Sequence, residues 1–281
     1  MKNITCLLAS ILLAIVVQAQ ELKLKPRKAD ALGGTAFAHS ISDSTLSLVA
    51  REEIIFREIK NGNVPSFLRK FQKIVSKATI DNKDYELVFF VLPDYLAIGH
   101  NDDYFYMPMT PILAQKVANL LHCSLPTRKI TDLIDQNATL KLTPQPIPPS
   151  KAMTTVPVFI THNDLVKQQM QPYLSQHANG ALTVGNKKDI VISNKIYGET
   201  TPRVVIYGWH QLDGKPIQPL YNKHTNTWAD YSHGVRLVQN TMWLNGKKTT
   251  LAKILADPLL SQLLSDEGII EKSYYPVFDN Y

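Results

Sequence analysis

Apolar residues follow helical spacing in several stretches of the first half of the chain. They recur every three to four positions over residues 46–59, and the Asn-Gly-Asn that follows is a helix-stop signal. Pro65 precedes a second short amphipathic segment, SFLRKFQKI, for which helical packing is expected. Thr110 is placed to cap a helix over PILAQKVANLL, and Thr127 to cap another over RKITDLIDQNA. These patterns predict a helical N-terminal portion.

Short apolar and aromatic runs between turn residues predict strands. ELVFFVL, YLAIG and YFYMPM are typical of an antiparallel meander. Further along, VPVFIT predicts a strand that ends at His162, while ALTV and KDIVIS predict a hairpin around Gly185. TMWLNGKKTT predicts a hairpin through its Asn-Gly turn, and the closing helix LAKILADPLLSQLL is expected to break at Pro258. The predicted fold class is α+β, with a helical N-terminal portion and a largely antiparallel sheet.

A proline-rich segment, TPQPIPPS at residues 143–150, divides this pattern. Four prolines in eight residues favour a stiff, extended linker. We expect an N-terminal α+β portion over residues 20–142 and a C-terminal, mainly β portion over residues 151–281 that carries the candidate site. The two portions can still pack together, because such a segment can also cross the surface of one domain.

Residues 1–19 have the pattern of a signal peptide, with one lysine, an apolar run and small residues up to Ala19. The run is too short to cross a bilayer, and no later stretch approaches about 18 uninterrupted apolar residues. We therefore expect an exported protein, periplasmic or secreted, without a transmembrane segment. Cys123 is the only cysteine beyond this leader. It follows a predicted helix end, where the backbone dipole disfavours a thiolate, so a buried thiol is favoured over a reactive one.

The formal net charge of +6 is mild and spread along the chain. The only adjacent lysines are Lys187–Lys188 and Lys247–Lys248, so no basic face for nucleic acid is indicated. A weakly basic exported protein is drawn to anionic polymers, and the expected partner is a cell-envelope or extracellular polymer.

Residues 203–238 concentrate the side chains capable of chemistry. Three of the eight histidines and two of the three tryptophans lie there. One predicted strand ends at His210, and another begins near Tyr231 beside Asp230 and His233. If these two strands pair, their polar residues form a single cluster, and polar residues at strand ends are where sites are commonly built.

Three kinds of site fit this composition. The first is a zinc site. Its candidate ligands are His210, His224, Asp230 and His233. Zinc binds three such ligands and leaves one position open for catalysis, but the spacing matches no known ligand motif.

The second is metal-free catalysis. Its candidate residues are His210, Asp230, His233, Ser232, Lys188 and Arg236. A histidine would be the base and Asp230 its orienting partner, while Ser232, or less favourably Cys123, would be the nucleophile. Lys188 or Arg236 would stabilise developing negative charge. Ser232 lacks the glycine-flanked elbow of G-x-S-x-G hydrolases.

The third is a binding module in which aromatic rings form a stacking platform. Its candidate members are Tyr207, Trp209, Tyr221, Trp228 and Tyr231. Such a platform would bind sugar rings or another aromatic ligand. The leading hypothesis is an exported hydrolase that acts on a peptide or glycan polymer through the His/Asp cluster. The alternative is a non-catalytic carbohydrate- or peptide-binding protein.

Two resemblances to known families bear on these alternatives. Ser175, His177 and Gly180, followed by Trp209–His210, resemble parts of the motifs of zinc D-Ala-D-Ala peptidases, but Val184 and Tyr207 stand where that family has its carboxylates. The runs GNVPSFLRKF, PDYLAIG, SLPTRK, YGWHQLDGKPIQP and DYSHGVRLV together resemble a family of exported bacterial proteins over most of the chain. The second resemblance implies one fold for these runs and carries no activity.

Overall fold

The computed structural model describes residues 21–279 and residue 281. The predicted signal peptide, residues 1–19, lies outside these residues. The helices are α1 (Gly34–Ser40), α2 (Leu48–Lys60), α3 (Pro111–Leu120), α4 (Arg128–Asn137), α5 (Val156–Met170), α6 (Leu174–Ala178) and α7 (Leu251–Ala256). The strands are β1 (Gln72–Ile80), β2 (Lys83–Val91), β3 (Ala97–His100), β4 (Asp103–Tyr106), β5 (Cys123–Ser124), β6 (Leu140–Lys141), β7 (Thr183–Val184), β8 (Lys188–Ile190), β9 (Ile206–His210), β10 (Pro216–Tyr221), β11 (His233–Gly234), β12 (Val238–Gln239), β13 (Thr241–Leu244) and β14 (Lys247–Thr250).

Two sheets carry most of these strands. The first has the order β14-β13-β2-β12-β5, with β1 also on β2, and all its pairs are antiparallel. The second has the order β10-β9-β8-β11, in which only β8 and β11 run parallel. The α+β class, with helices concentrated in the N-terminal half and a largely antiparallel sheet, is confirmed. No helix in residues 21–279 is both long and apolar enough to cross a lipid bilayer.

The first sheet joins strands from both sides of the proline-rich segment. Val88 and Val91 of β2 pair with Trp243 of β13 and Val238 of β12. Residues 143–150 themselves adopt neither helix nor strand. The division of the chain into two portions at this segment stays a prediction. If the division holds, the two portions share the first sheet.

Local sequence signals act at several element ends. The Thr110 and Thr127 side chains accept hydrogen bonds from backbone amides in the first turns of α3 and α4, as predicted. Asn245 and Gly246 both have positive φ, the geometry of a tight hairpin turn between β13 and β14. The closing helix α7 ends at Ala256, before Pro258, and only a short 3-10 turn follows. These four predictions are confirmed.

The predicted strand VPVFIT is wrong, because these residues form the start of α5. Apolar residues that favour strands were outweighed by burial at helical spacing, with Val156, Phe159, Val166 and Met170 on the inner side. Pro157 lies in the first turn, where its missing amide hydrogen costs nothing.

Three further strand and helix predictions need correction. The segment SFLRKFQKI was expected to be helical, but it forms a 3-10 turn followed by the start of β1. A left-handed turn at Asp81–Asn82 allows β1 to pair with β2 along its full length, which favours the strand.

The predicted three-stranded meander is only a hairpin of β3 and β4, since β2 pairs with β1, β12 and β13. ALTV and KDIVIS do not form a hairpin, because β7 pairs with β6 and β8 with β9 and β11.

Cys123 is buried at the start of β5, as favoured from the sequence. Burial raises the pKa of its thiol to about 12. The thiol is therefore protonated at neutral pH and is a poor nucleophile.

The segment between β11 and β12 connects the two sheets. The backbones of Val235 and Leu237 accept hydrogen bonds from the amides of Leu96 and Leu92. Arg236, between them, is almost fully buried, and its guanidinium donates to the carbonyls of Leu92 and Thr183 at 3.0 and 2.6 Å. This connection holds the second sheet, which carries the candidate site, against the end of β2.

Candidate functional site

Strand β8 brings consecutive ionisable residues into the protein interior. Lys187 precedes the strand, and Lys188 and Asp189 begin it; none of the three is more than 6% exposed. Lys188 pairs with Gly208 of β9 on one side and with His233 of β11 on the other. Neighbouring side chains on a strand point to opposite faces, so Lys188 and Asp189 belong to different groups of side chains.

Lys188 forms a buried ion pair with Asp230. Its Nζ lies 3.0 Å from Oδ2 of the carboxylate. The other carboxylate oxygen accepts hydrogen bonds from the Ser232 hydroxyl at 2.6 Å and from the Ser232 amide at 2.9 Å. Nε2 of His233 lies 3.7 Å from Oδ2. We call these four residues the Asp230 cluster.

The charge state of the Asp230 cluster follows from its burial and its contacts. Burial lowers the pKa of His233 to about 3, so the imidazole is neutral at pH 7. Burial alone would raise the pKa of Asp230. The charge interactions with His233 and Lys188 and the hydrogen bonds from Ser232 instead hold this pKa well below its usual range. Neither ring nitrogen of His233 has a hydrogen-bond partner in the described part of the chain. The cluster thus combines a carboxylate, a hydroxyl bonded to it and an imidazole with unused bonding capacity.

Three half-buried aromatic side chains lie together beside the Asp230 cluster, and Trp228 contacts it directly. His224 and Trp228 are stacked almost in parallel, with ring centroids 4.5 Å apart and planes 7° apart. Tyr221 meets His224 edge-on at 5.2 Å. The indole Nε1 of Trp228 donates to Oδ2 of Asp230 at 3.3 Å. All three rings are half-buried, and we call them the aromatic cap.

The other three predicted platform residues lie in the core. Tyr207, Trp209 and Tyr231 are 3% to 5% exposed. The indole of Trp209 donates to the carbonyl of Gly185 at 2.9 Å, and the Tyr231 hydroxyl bonds the backbone of Ile147. Only Tyr221 and Trp228 of the five candidate aromatics therefore have a face that a ligand can reach.

His210 does not join the Asp230 cluster. The expected pairing of its strand with the strand of His233 is wrong, because β8 lies between β9 and β11. His210 Nε2 instead lies 2.9 Å from Asp132 of α4, and the Tyr207 hydroxyl donates to the same oxygen at 2.8 Å. Gly208 and Trp209 both have positive φ, and this distortion lets residues 207 and 210 reach one partner.

Asp189 and Arg236 form a third buried group around Tyr95. The Tyr95 hydroxyl donates to Oδ2 of Asp189 at 2.7 Å, and the guanidinium of Arg236 lies 4.2 Å from the centre of the Tyr95 ring. Burial raises the pKa of Asp189 to about 6, although Arg236 opposes the shift. Both His210 and Asp132 also act on this pKa, so they lie on the Asp189 side of β8. Arg236, the predicted anion stabiliser, belongs to this structural group.

Lys187 contacts a histidine that the sequence did not single out. Its Nζ lies 2.9 Å from Nδ1 of His162 and donates to the carbonyl of Tyr231 at 2.6 Å. Burial lowers the pKa of Lys187 to about 7 and that of His162 well below its usual value. Two buried groups with strongly shifted pKa values, Lys187 just before β8 and Asp189 within it, are typical of a functional site.

The predicted zinc ligands do not converge. Across the described residues, no three histidine, cysteine, aspartate or glutamate side chains come together in a group that could hold a metal ion. His224 lies in the aromatic cap, Asp230 and His233 below it, and His210 beside Asp132.

Two carboxylates with important contacts escaped the sequence analysis. Asp132 pairs with His210, and Asp94 pairs with His177 at 2.7 Å. Asp94 follows an apolar run just as His210 does, so the strand-end rule that selected His210 also indicates Asp94. Asp132 lies within a helix and carries no comparable signal.

Comparisons with protein-family models, with curated proteins and with solved structures found no match to this chain.

The ion pair between Lys188 and Asp230 gives a first prediction. Lys188→Met leaves a buried carboxylate without its cation, so we expect the free energy of unfolding to fall by about 3 kcal/mol or more. Lys215→Met removes an exposed pair with Asp213, which water screens, and should leave the free energy of unfolding nearly unchanged. Urea denaturation of both variants measures the difference. Equal stability of the two variants would show that this pair does not hold the cluster together.

A second prediction concerns the titration of Asp189. Its carboxyl carbon should titrate by NMR near pH 6, and Tyr95→Phe should move the midpoint higher because the phenol hydrogen bond favours the charged carboxylate. This pKa exceeds the value of about 4 in an unfolded chain. The carboxyl therefore contributes stability that is complete below about pH 4 and lost as the pH rises through about 6. A midpoint below pH 4 in the native protein would contradict the assignment.

Proposed function

We propose that the chain is an exported hydrolase that acts on a cell-envelope or extracellular polymer, with the Asp230 cluster as its reactive centre. Export is proposed from the signal-peptide pattern of residues 1–19. One observation carries the hydrolase assignment: the Ser232 hydroxyl donates to the Asp230 carboxylate at 2.6 Å, and the Lys188 ammonium lies 3.0 Å from the same carboxylate. A nucleophile and a cation thus each contact the same base, through its two different oxygens.

In this proposal Ser232 attacks and Asp230 takes its proton. A hydroxyl becomes an effective nucleophile when a base lies within hydrogen-bond reach. As the Ser232 oxygen bonds to a substrate carbonyl carbon, the carbonyl oxygen gains negative charge, which the Lys188 ammonium stabilises. Asp230 returns the proton to the leaving group, and water then hydrolyses the ester on Ser232 and restores the hydroxyl.

The pKa of Asp230 sets a condition on this mechanism. A carboxylate with a strongly lowered pKa is a weak base. Lys188 is one of the groups that keep the pKa of Asp230 low. When the Lys188 ammonium moves from Asp230 to the substrate oxyanion, the pKa of Asp230 rises, and Asp230 becomes a stronger base at the step that needs one. The neutral imidazole of His233 is fully buried, so it becomes available to the substrate or to a water molecule only when the segment that carries Trp228 moves.

The aromatic cap controls access in this proposal. Trp228 donates to the carboxylate oxygen that also holds Lys188, and it lies in the segment between β10 and β11. The segment has to move for a substrate to reach Ser232, as lids do in many enzymes. The mild positive charge favours an anionic polymer. Both peptide and glycan polymers stay in the proposal, but on a glycan the bond attacked would be an ester or amide substituent, because this mechanism needs a carbonyl group.

The third prediction concerns activity, measured as hydrolysis of p-nitrophenyl acetate and as release of fragments from dye-labelled peptidoglycan. We expect Ser232→Ala and Asp230→Asn each to lower kcat by about a thousandfold or more. Ser261→Ala is the matched control, because Ser261 is also buried but its hydroxyl has no hydrogen-bond partner in the described chain. His210→Ala should retain activity, since His210 contacts Asp132 instead. Full activity in Ser232→Ala would overturn the proposal.

Metal analysis of the purified protein tests the zinc alternative. The proposed reactive centre contains no metal. It would be contradicted if the purified protein held near-stoichiometric zinc and His210→Ala lost that zinc. Zinc is the cofactor that the predicted ligands would have held.

A non-catalytic carbohydrate- or peptide-binding protein is the second candidate, and the half-exposed stack of His224 and Trp228 favours it. The fourth prediction follows from it. If the cap is a binding surface, Trp228→Ala should weaken binding to soluble peptidoglycan fragments by about tenfold or more, while Ser232→Ala leaves binding unchanged. Trp243→Ala, at a half-buried tryptophan of β13, is the control. Binding that is insensitive to Trp228 would remove this candidate.

The resemblance of five sequence runs to a family of exported bacterial proteins is also carried as a proposal. It is consistent with export and adds no activity.

A further inference from the structure

A surface cavity of about 400 Å³ lies between the β3–β4 turn and helices α5 and α6. Its wall combines two basic side chains, Lys167 and His177, with the apolar or aromatic side chains of Tyr104, Met170 and Leu174. None of these residues belongs to the Asp230 cluster or its aromatic cap. The cavity therefore calls for an explanation independent of the proposed hydrolase.

The imidazole of His177 is held in one orientation at this cavity. Its Nε2 lies 2.7 Å from Oδ2 of Asp94, which is fully buried and also accepts from the Tyr106 hydroxyl. The ring lies between Phe67 and Tyr104, at centroid distances of 4.2 and 5.5 Å. Nδ1 has no hydrogen-bond partner in residues 21–279. A side chain that is 97% buried thus directs a single unused nitrogen toward the cavity it lines.

The surroundings of Asp94 favour its ionised form. Burial alone would raise its pKa, but the hydrogen bond and charge of His177, together with Arg236, hold the pKa below its usual value. An ionised Asp94 accepts the Nε2 hydrogen, so Nδ1 is the ring nitrogen left for a ligand at the cavity.

Lys167 supplies a second positive group. Its Nζ lies 3.5 Å from Oδ1 of Asp103, a long contact that leaves ammonium hydrogens for a ligand. Asp103 has better partners in the amide and hydroxyl of Thr35, at 3.0 and 2.7 Å. Asp102 also lines the cavity, but its side chain is 98% exposed and its charge is screened by water. A carboxylate has two oxygens, one for each of the two basic side chains that line the cavity.

We propose that this cavity binds a small molecule that carries one carboxylate on an apolar body. The carboxylate accepts hydrogen bonds from His177 and Lys167, and the body lies against Met170, Leu174 and Tyr104. Carboxylates bind such paired donors through short, charge-assisted hydrogen bonds. Apolar side chains beside a few fixed polar groups are the usual composition of a small-molecule site.

Titration of the purified protein with octanoate, against its uncharged counterpart octanol, is the fifth prediction and tests this site. We expect saturable octanoate binding by calorimetry, with NMR shifts at the Met170 methyl group, and octanol binding at least tenfold weaker. His177→Gln keeps a donor for Asp94 but loses the second ring nitrogen, and should weaken octanoate binding about tenfold or more. Lys167→Met should do the same, while Lys77→Met, at an exposed lysine of β1, should have no effect.

A variant that fills the cavity keeps the test decisive if His177→Gln does not fold. Ala178 lines the cavity at an exposed position, so Ala178→Trp should block octanoate without disturbing the core. Equal binding of octanoate and octanol would overturn the carboxylate assignment. Absence of octanoate binding, or binding that survives Ala178→Trp, would overturn the site.

Discussion

The burial of charge on strand β8 is the constraint on which the rest of this structure depends. Lys187, Lys188 and Asp189 follow one another in the sequence and are all buried. An unpaired charge in a protein interior costs several kcal/mol, so each needs a partner at hydrogen-bond distance. The partners come from distant parts of the chain: His162 of α5, Asp230 before β11, and Tyr95 after β2.

This constraint explains why the candidate site is where it is. The segment after β11 lies between both sheets, and Arg236 holds it through the carbonyls of Leu92 and Thr183. With that segment fixed, Asp230 and Ser232 are oriented by backbone and side-chain hydrogen bonds before any ligand arrives. Preorganised polar groups in a water-poor interior interact more strongly with developing charge than the same groups would in water. The charged strand therefore stabilises the arrangement and makes it chemically distinctive.

Local chemistry made much of the fold predictable from the sequence. The caps at Thr110 and Thr127, the Asn245–Gly246 turn and the stop at Pro258 depend only on nearby residues, and each was predicted. VPVFIT failed because its strand propensity is weaker than the gain from burying every third or fourth residue in α5.

The candidate site was predicted only in part, for a topological reason. The sequence places Asp230, Ser232 and His233 together because they are neighbours, and it offered both Lys188 and Arg236 as the cation. The order of strands in the second sheet separates His210 from them and supplies Asp132 from a helix. Which strand lies between two others is set by packing across the whole chain, and a single sequence does not encode it in a readable local pattern.

The most direct test of the central claim is covalent labelling of Ser232. A fluorophosphonate reacts with a serine hydroxyl only where a neighbouring base activates it. Tandem mass spectrometry of the treated native protein should find one adduct, on Ser232, and the adduct should be absent from Asp230→Asn. An unlabelled Ser232, under conditions that fully label a serine hydrolase of known activity, would contradict the account.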